Sequence, residues 1–95
     1  MKPYTETKTT SWVYITRHTC TGEQLVCHAL DLAGQLNAAP HLQLLYYRRY
    51  DNIADAMGHK LLLEQLSAPS LRAIIQRTNP HYDDLRKEFQ QLSIL

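Results

Sequence analysis

The sequence predicts an α/β fold of the α+β type, with a small three-stranded antiparallel sheet flanked by helices in the order ββαβααα. Residues 12–16 are rich in β-branched and aromatic side chains, and residues 24–27 provide a return strand after a turn at Thr21-Gly22. Residues 41–49 form a third run of strand length. Much of the remaining chain carries apolar residues at helical intervals between prolines, which predicts the helices.

The hairpin determines which side chains share a face of the sheet. With a two-residue turn, residue 20 faces residue 23 and residue 16 faces residue 27, and Tyr14 shares its face with Cys27. Cys20 and Cys27 then lie roughly 13 Å apart along the ladder, at ~3.3 Å per residue. Because a disulfide needs Cα atoms within about 7 Å, we expect two free thiols. His28 points to the opposite face, so the histidines and cysteines of the hairpin predict no metal site.

Capping residues and prolines mark where the helices begin and end. Asp51 is expected to cap the longest helix, which is apolar around much of its girth and should therefore be sandwiched between other elements. The predicted helices are 30–38, beginning near Asp31; 52–66; a third helix between Pro69 and Asn79-Pro80; and 81–92.

Composition and charge narrow the class of protein. The 95 residues are 44% hydrophobic and 20% charged, with a formal net charge of +1 and a pI near 7.8. These values are ordinary for a globular domain and do not provide the strongly basic surface of a bulk DNA binder. No apolar run approaches the ~20 residues that cross a bilayer, and the N-terminus lacks a signal-peptide core. We expect a cytoplasmic protein without a membrane partner, with a flexible lead-in over 1–10 and a single domain over 11–95.

Several stretches resemble motifs of one known family. Residues 44–57, LLYYRRYDNIADAM, look like its strand and helix start, and residues 79–85, NPHYDDL, look like its Asn-Pro-x-Trp-x-Asp-Leu ending. In the hairpin, Trp12-Val13-Tyr14 falls on the first motif and Leu25-Val26-Cys27 on the second, with Asp31-Leu32 at the helix start. From Trp12 to Leu85 the chain thus resembles the GIY-YIG nuclease superfamily, especially its small stand-alone bacterial members.

The resemblance implies a Mg²⁺-dependent endonuclease site in which most of the chemistry is missing. The first-motif tyrosine falls on Tyr14, but the second tyrosine falls on Leu25, the phosphate-binding arginine on Gln35 and the metal-binding glutamate on Lys60. Leucine has no hydroxyl, glutamine has no charge, and the lysine ammonium repels a divalent cation. We therefore expect these four vestigial positions to be non-catalytic, with no cofactor and no bound metal.

The sequence accordingly predicts a non-enzymatic binding module that acts as a regulator, an inhibitor or a subunit. A protein partner is favoured because the near-neutral charge attracts phosphate weakly. The alternatives are a DNA- or RNA-binding module that keeps the family's substrate class, and a divergent endonuclease with relocated chemistry. The oligomeric state is left open. The candidate binding residues are Tyr14, Arg17, Gln35, Arg48, Arg49 and Lys60.

Some of these residues have more than one interpretation. Lys60 could extend past an apolar stripe to water, bind a phosphate or carboxylate in the old cleft, or form an inner salt bridge. Arg48 and Arg49 are either solvated surface or a phosphate-contacting patch. Tyr46 and Tyr47 beside them either pack in the core or stack on bases of single-stranded nucleic acid.

Overall fold

The chain is organised around a three-stranded antiparallel sheet in the order β2-β1-β3, with four helices, which confirms the predicted class and element order. The structure, a computed structural model, describes residues 9–94, with side chains described through Leu92. Residues 1–8 of the predicted lead-in lie outside it. None of the helices in the described range is long and apolar enough to span a bilayer. The elements are β1 Ser11–His18, β2 Gln24–Ala29, α1 Leu32–Ala38, β3 Leu42–Tyr50, α2 Ile53–Glu64, α3 Ala68–Thr78 and α4 Arg86–Ile94.

Helices cover both faces of the sheet, and each face has its own apolar core. Successive side chains of a strand alternate between faces, so Val13 and Ile15 pack under α2 and α3 while Tyr14 packs on the other side with α1 and α4. This double coverage explains why residues 44–47 are apolar without alternation. The first core contains Val13, Ile15, Leu45, Tyr46, Ala56, Leu63 and Ile75; the second contains Tyr14, Ala29, Leu32, Leu36, Leu44 and Phe89.

Strand β3 contains a β-bulge at Leu45. Ile15 of β1 pairs with Tyr46, and the next residue, Thr16, pairs with Leu44, so Leu45 has no pairing partner on β1. The extra residue allows Leu45 and Tyr46 to contribute to the same core although they are neighbours in sequence. The bulge also withdraws one backbone group from the sheet ladder, and that group needs another partner.

Asn79 supplies that partner. Its buried side chain donates from Nδ2 to the Leu45 carbonyl at 3.1 Å and to the Asp83 carbonyl at 2.9 Å, and its Oδ1 accepts from the Asp83 amide at 2.9 Å. Tyr82 adopts a φ of 54° within this loop. The predicted helix over 81–92 is therefore wrong in its first turn, because the loop is held by Asn79 and α4 begins only at Arg86.

Arg86 ties three chain segments together. Its guanidinium donates to the Leu42 carbonyl at 2.8 Å, to the Leu36 carbonyl at 2.7 Å and to the Ala39 carbonyl. Leu36 and Ala39 lie at the end of α1, where each carbonyl also accepts one backbone amide and where the helix dipole favours a cation. Arg86 is thus a structural side chain that fixes α1 against the start of β3 and α4.

The hairpin register differs from the prediction by two residues. Cys27 pairs with Tyr14 instead of Thr16, and the loop spans the four residues 19–22. The His18 ring closes this loop by accepting hydrogen bonds from two loop amides through Nδ1. Since the shift is an even number, every side chain keeps its predicted face, and the two cysteines are free thiols as expected.

Helix α2 is shorter and less covered than the sequence suggests. Asn52, not Asp51, is its N-cap, since the Asn52 side chain accepts from the amide of Asp55 at 2.8 Å. Leu61 and Leu62 are 54% and 56% exposed, so the expectation of a sandwiched helix is wrong. Those leucines lie on the outer side of a helix that packs against the sheet by one face only.

Candidate functional site

The hairpin face predicted to hold the vestigial site centres on Tyr14 and Cys27, which pair across β1 and β2. The Tyr14 side chain is 6% exposed, and burial, with a smaller contribution from Cys27, raises its pKa to about 12. Burial also raises the pKa of the Cys27 thiol, and the hydroxyl of Thr16 beside it only partly offsets this. Both the phenol and the thiol are therefore protonated at neutral pH.

Lys60 forms a salt bridge along α2. Its Nζ donates to Oε2 of Glu64 at 2.8 Å, with the Lys60 side chain 22% exposed. After burial and the Thr16 hydroxyl, the charges of Lys60 and Glu64 contribute in opposite directions to the pKa of Cys27. This is a partly exposed pair within one helix, and the role of Lys60 in binding stays a prediction.

The other two vestigial positions face solvent. Leu25 is 49% exposed on β2, opposite Thr16. Gln35 is exposed on α1, and its side chain makes no hydrogen bond with a described residue. The fold thus pairs Tyr14 with Cys27 on one face of the sheet, whereas Lys60 lies on α2, which packs against the other face, and no hydrogen bond links Gln35 to either.

Arg17 has structural contacts on the opposite face. Its Nε donates to Oε1 of Gln43 at 2.9 Å, and its guanidinium lies 5.6 Å from the ring centre of Tyr82. These contacts join β1 to β3 and to the loop after α3. They occupy the guanidinium that the sequence offered for phosphate binding.

Arg48 and Arg49 lie in the second half of β3 and are less restrained. Arg49 contacts Asp51 at 3.3 Å, but the two side chains are 60% and 54% exposed, so the pair contributes little. The Arg48 guanidinium lies 5.3 Å from the Tyr50 ring centre. Within the described range no carboxylate lies within 4.0 Å of Arg48.

Two grooves meet at Tyr47 and Arg48, one beside each face of the sheet. The first groove, of about 540 Å³, is bounded by side chains of β1, β3 and α4, and the second groove, of about 370 Å³, by side chains of β3, α2 and α3. The first groove is lined by Trp12, Tyr47, Arg48, Arg49, Phe89 and Leu92; the second is lined by Tyr46, Tyr47, Arg48, His59, Ile74, Arg77 and Thr78.

Aromatic side chains hold the wall of the first groove. The ring centres of Trp12 and Tyr47 lie 5.1 and 5.4 Å from that of Phe89, in edge-to-face geometry. The Tyr47 hydroxyl donates to Oε2 of Glu88 at 2.7 Å, and burial followed by this contact raises the Tyr47 pKa. The wall is therefore ordered before any ligand arrives.

The second groove owes its positive charge to arginine. His59 shares a hydrogen bond of 2.6 Å between Nδ1 and the Tyr50 hydroxyl, and burial, followed by the charge of Arg48, lowers its pKa. His59 is consequently neutral at pH 7, and the cations are Arg48 and Arg77. Arg77, like Arg48, has no carboxylate within 4.0 Å among the described residues.

Sequence analysis found Arg48 and Arg49 but missed most of the lining of these grooves. Trp12, His59, Arg77 and Phe89 lie on four different elements, and only the packing of helices on both faces brings them to β3. No sequence spacing signals that arrangement. The run of tyrosine and arginine over 46–49 was the one local signal.

No group of three or more His, Cys, Asp or Glu side chains positioned to hold a metal ion occurs in the part of the chain that the structure describes. Comparisons of the chain with protein-family models, with curated proteins and with solved structures found no match. The relationship to GIY-YIG nucleases therefore stays a prediction from the sequence motifs.

Proposed function

We propose that this chain is a catalytically inactive domain of GIY-YIG-like fold that works by binding a protein partner. The observation that supports this most strongly is the composition of the first groove, where Trp12, Tyr47 and Phe89 lie beside Arg48 and Arg49. Aromatic residues and arginine are enriched in protein interfaces, where a few such side chains carry most of the binding energy. A regulator, an inhibitor and a subunit all fit this role.

The hairpin face supports a non-enzymatic role. Acid–base and nucleophilic catalysis near pH 7 need groups that change protonation there, whereas burial raises the pKa of both Tyr14 and Cys27. The ammonium of Lys60 is paired with Glu64. Leu25, the exposed member of this face, offers no polar atom to a reacting phosphate.

Binding of single-stranded nucleic acid is the second candidate. Arg48, Arg49 and Arg77 line the two grooves, and cations beside aromatic rings are the recurring elements of such sites. The near-neutral net charge of +1 argues against it, because it attracts a phosphate backbone only weakly.

The experiment combines photo-crosslinking with a DNA assay. A benzophenone amino acid replaces Leu92, which is 55% exposed in the first groove, or Leu30, which is 53% exposed beyond the end of β2 and serves as the control. In cells of the source organism we expect a discrete protein adduct from position 92 and none from position 30. The adduct should disappear when Arg48 and Arg49 are replaced by glutamate.

The DNA assay measures anisotropy of labelled duplex, branched and single-stranded DNA with Mg²⁺ at ~50 and ~200 mM salt, followed by a denaturing gel. We expect no cut product and no salt-sensitive binding, in the wild type and in Lys60→Ala alike. Salt-sensitive binding that Arg48→Glu abolishes would favour the second candidate. Cleaved DNA that depends on this protein would refute the inactive-site argument.

A further inference from the structure

We propose that the partner binds as an extended acidic peptide that adds a strand to the outer edge of β3 over residues 46–50. This inference rests on the proposed function and specifies the partner and the binding geometry. In strand addition, main-chain hydrogen bonds supply affinity, and pockets for alternate side chains supply specificity. The β3 edge offers both features.

The outer edge of β3 is covered in its first half only. Beside the bulge, the Leu44 amide donates to Oδ1 of Asp84 at 3.0 Å, and the Leu44 carbonyl accepts from the Leu85 amide at 2.7 Å. Beyond Leu45, no described residue outside β1 makes a hydrogen bond to the backbone of 46–50. Alternate amides and carbonyls of this stretch are therefore available to an incoming strand.

The two grooves match the side-chain alternation of such a strand. Successive side chains point to opposite faces, so one set enters the first groove and the other set enters the second. The first groove combines the apolar side chains of Trp12, Phe89 and Leu92 with Arg49, which is paired with Asp51. Arg48 lines both grooves, and in the second groove it is joined by Arg77, so the unpaired positive charge is concentrated there. The expected ligand alternates apolar and acidic residues.

Charge complementarity makes the choice of an acidic partner specific. Arg48 and Arg77 are exposed cations without a described carboxylate partner. His59, on the side of α2 that meets β3, stays neutral because burial and the charge of Arg48 lower its pKa. Of the nearby carboxylates, Asp51 pairs with Arg49, and Glu88 accepts from the Tyr47 hydroxyl on the α4 side. Acidic side chains are therefore attracted to the second groove and disfavoured beside α4.

The test begins with a phage-displayed library of random ten-residue peptides. It is selected on the wild-type chain and on an Arg48→Glu, Arg77→Glu double variant, with Arg72→Glu as a control because Arg72 is exposed on α3 outside both grooves. We expect peptides of alternating acidic and apolar residues from the wild type and from the control only. Thermal unfolding of all variants checks that the fold is intact.

The strongest selected peptide is then synthesised with single N-methylated amides along its backbone. N-methylation removes a donor without changing the side chain, so it should weaken binding at least tenfold at every second position and less between them. Hydrogen exchange of the chain should slow at least tenfold at alternate amides of 46–50 when the peptide is present.

Each alternative result is informative. Peptides that bind equally to the double variant, or that tolerate N-methylation throughout, would overturn strand addition, while a crosslink from position 92 would leave the proposed function intact. If a 12-residue oligothymidylate displaces the peptide, and if its own binding requires Arg48, the edge would be assigned to nucleic acid. A selection that enriches no peptide on the wild type over the double variant would also overturn the inference.

Discussion

Asn79→Ala is the perturbation that most directly tests how this fold holds its bulged strand. The substitution removes one amide group that makes three hydrogen bonds of 2.9 to 3.1 Å, two to Asp83 and one to Leu45. Asn79 is 3% exposed, so water does not replace these partners easily. The Leu45 carbonyl loses its partner at the position where the bulge has already removed it from the ladder.

The expected loss follows from these contacts. A hydrogen bond contributes a net of about 1 kcal/mol, and a buried polar group left without a partner costs about 1 to 3 kcal/mol. Since part of the loop can relax, we expect a decrease of about 3 kcal/mol in the free energy of unfolding. With a urea m-value of about 1.5 kcal/mol/M, the unfolding midpoint falls by roughly 2 M.

Urea titration followed by circular dichroism measures this shift. Asn37→Ala is the matched control, because Asn37 is exposed on α1 and should change the free energy by less than about 0.5 kcal/mol. Asn79→Asp keeps the acceptor for the Asp83 amide but turns the donor into a carboxylate facing two carbonyls, so it should cost at least as much as alanine. A loss below about 1 kcal/mol for alanine, or a stable aspartate variant, would refute the reasoning.

Three further predictions concern single substitutions, the third of them at a pair of glycines. Arg86→Ala removes three charged donors to backbone carbonyls, so the free energy of unfolding measured by urea titration should fall by about 3 kcal/mol. The exposed control Lys87→Ala should lower it by less than about 0.5 kcal/mol. Equal effects would contradict the structural role of Arg86. Tyr14 has a folded pKa of about 12, above an unfolded value of about 10, so the folded state keeps a proton that the unfolded state loses between these pH values. At about 1.4 kcal/mol per pKa unit, the free energy of unfolding should fall by up to about 3 kcal/mol as the pH rises through this range. Tyr14→Phe should flatten the stability curve there, and parallel curves would refute this. Gly22 has a φ of 77°, so Gly22→Ala should lower the free energy of unfolding by about 1 kcal/mol. Gly58 lies in open space within α2, so Gly58→Ala should raise the free energy of unfolding by about 0.5 to 1 kcal/mol. The same sign at both sites would contradict the conformational argument.

The helices and strands of this fold could be predicted because the residues that begin, end and pattern each element are neighbours in the sequence. A helix does begin after Asp31, which caps it, and Asn79-Pro80 does end α3. The hairpin register was not predictable in the same way. The connection is a four-residue loop in which the His18 ring accepts hydrogen bonds from two loop amides, and not the two-residue turn that the sequence suggested. A side-chain hydrogen bond of that kind leaves no periodic signal.

The start of α4 shows the same limit more clearly. Residues 81–85 carry a pattern that suits a helix, but Asn79 captures Asp83 and Tyr82 turns to positive φ. The competing contact is with the Leu45 carbonyl, 34 positions earlier in the chain. Tertiary structure therefore overrode helix propensity at a site that only the bulge in β3 creates.

The same bulge accounts for the position of the proposed docking edge. By opposing Leu44 to Thr16 and Tyr46 to Ile15, it leaves the Leu45 carbonyl to Asn79, and the adjoining Leu44 groups bond to Asp84 and Leu85. The segment after α3 covers the strand up to that point and then turns into α4. An unprotected edge normally invites aggregation, and flanking charge is one way in which proteins limit it. Two consecutive arginines at 48–49 provide that charge here, so the residues that would discourage pairing with a second copy are the same ones that would select an acidic strand.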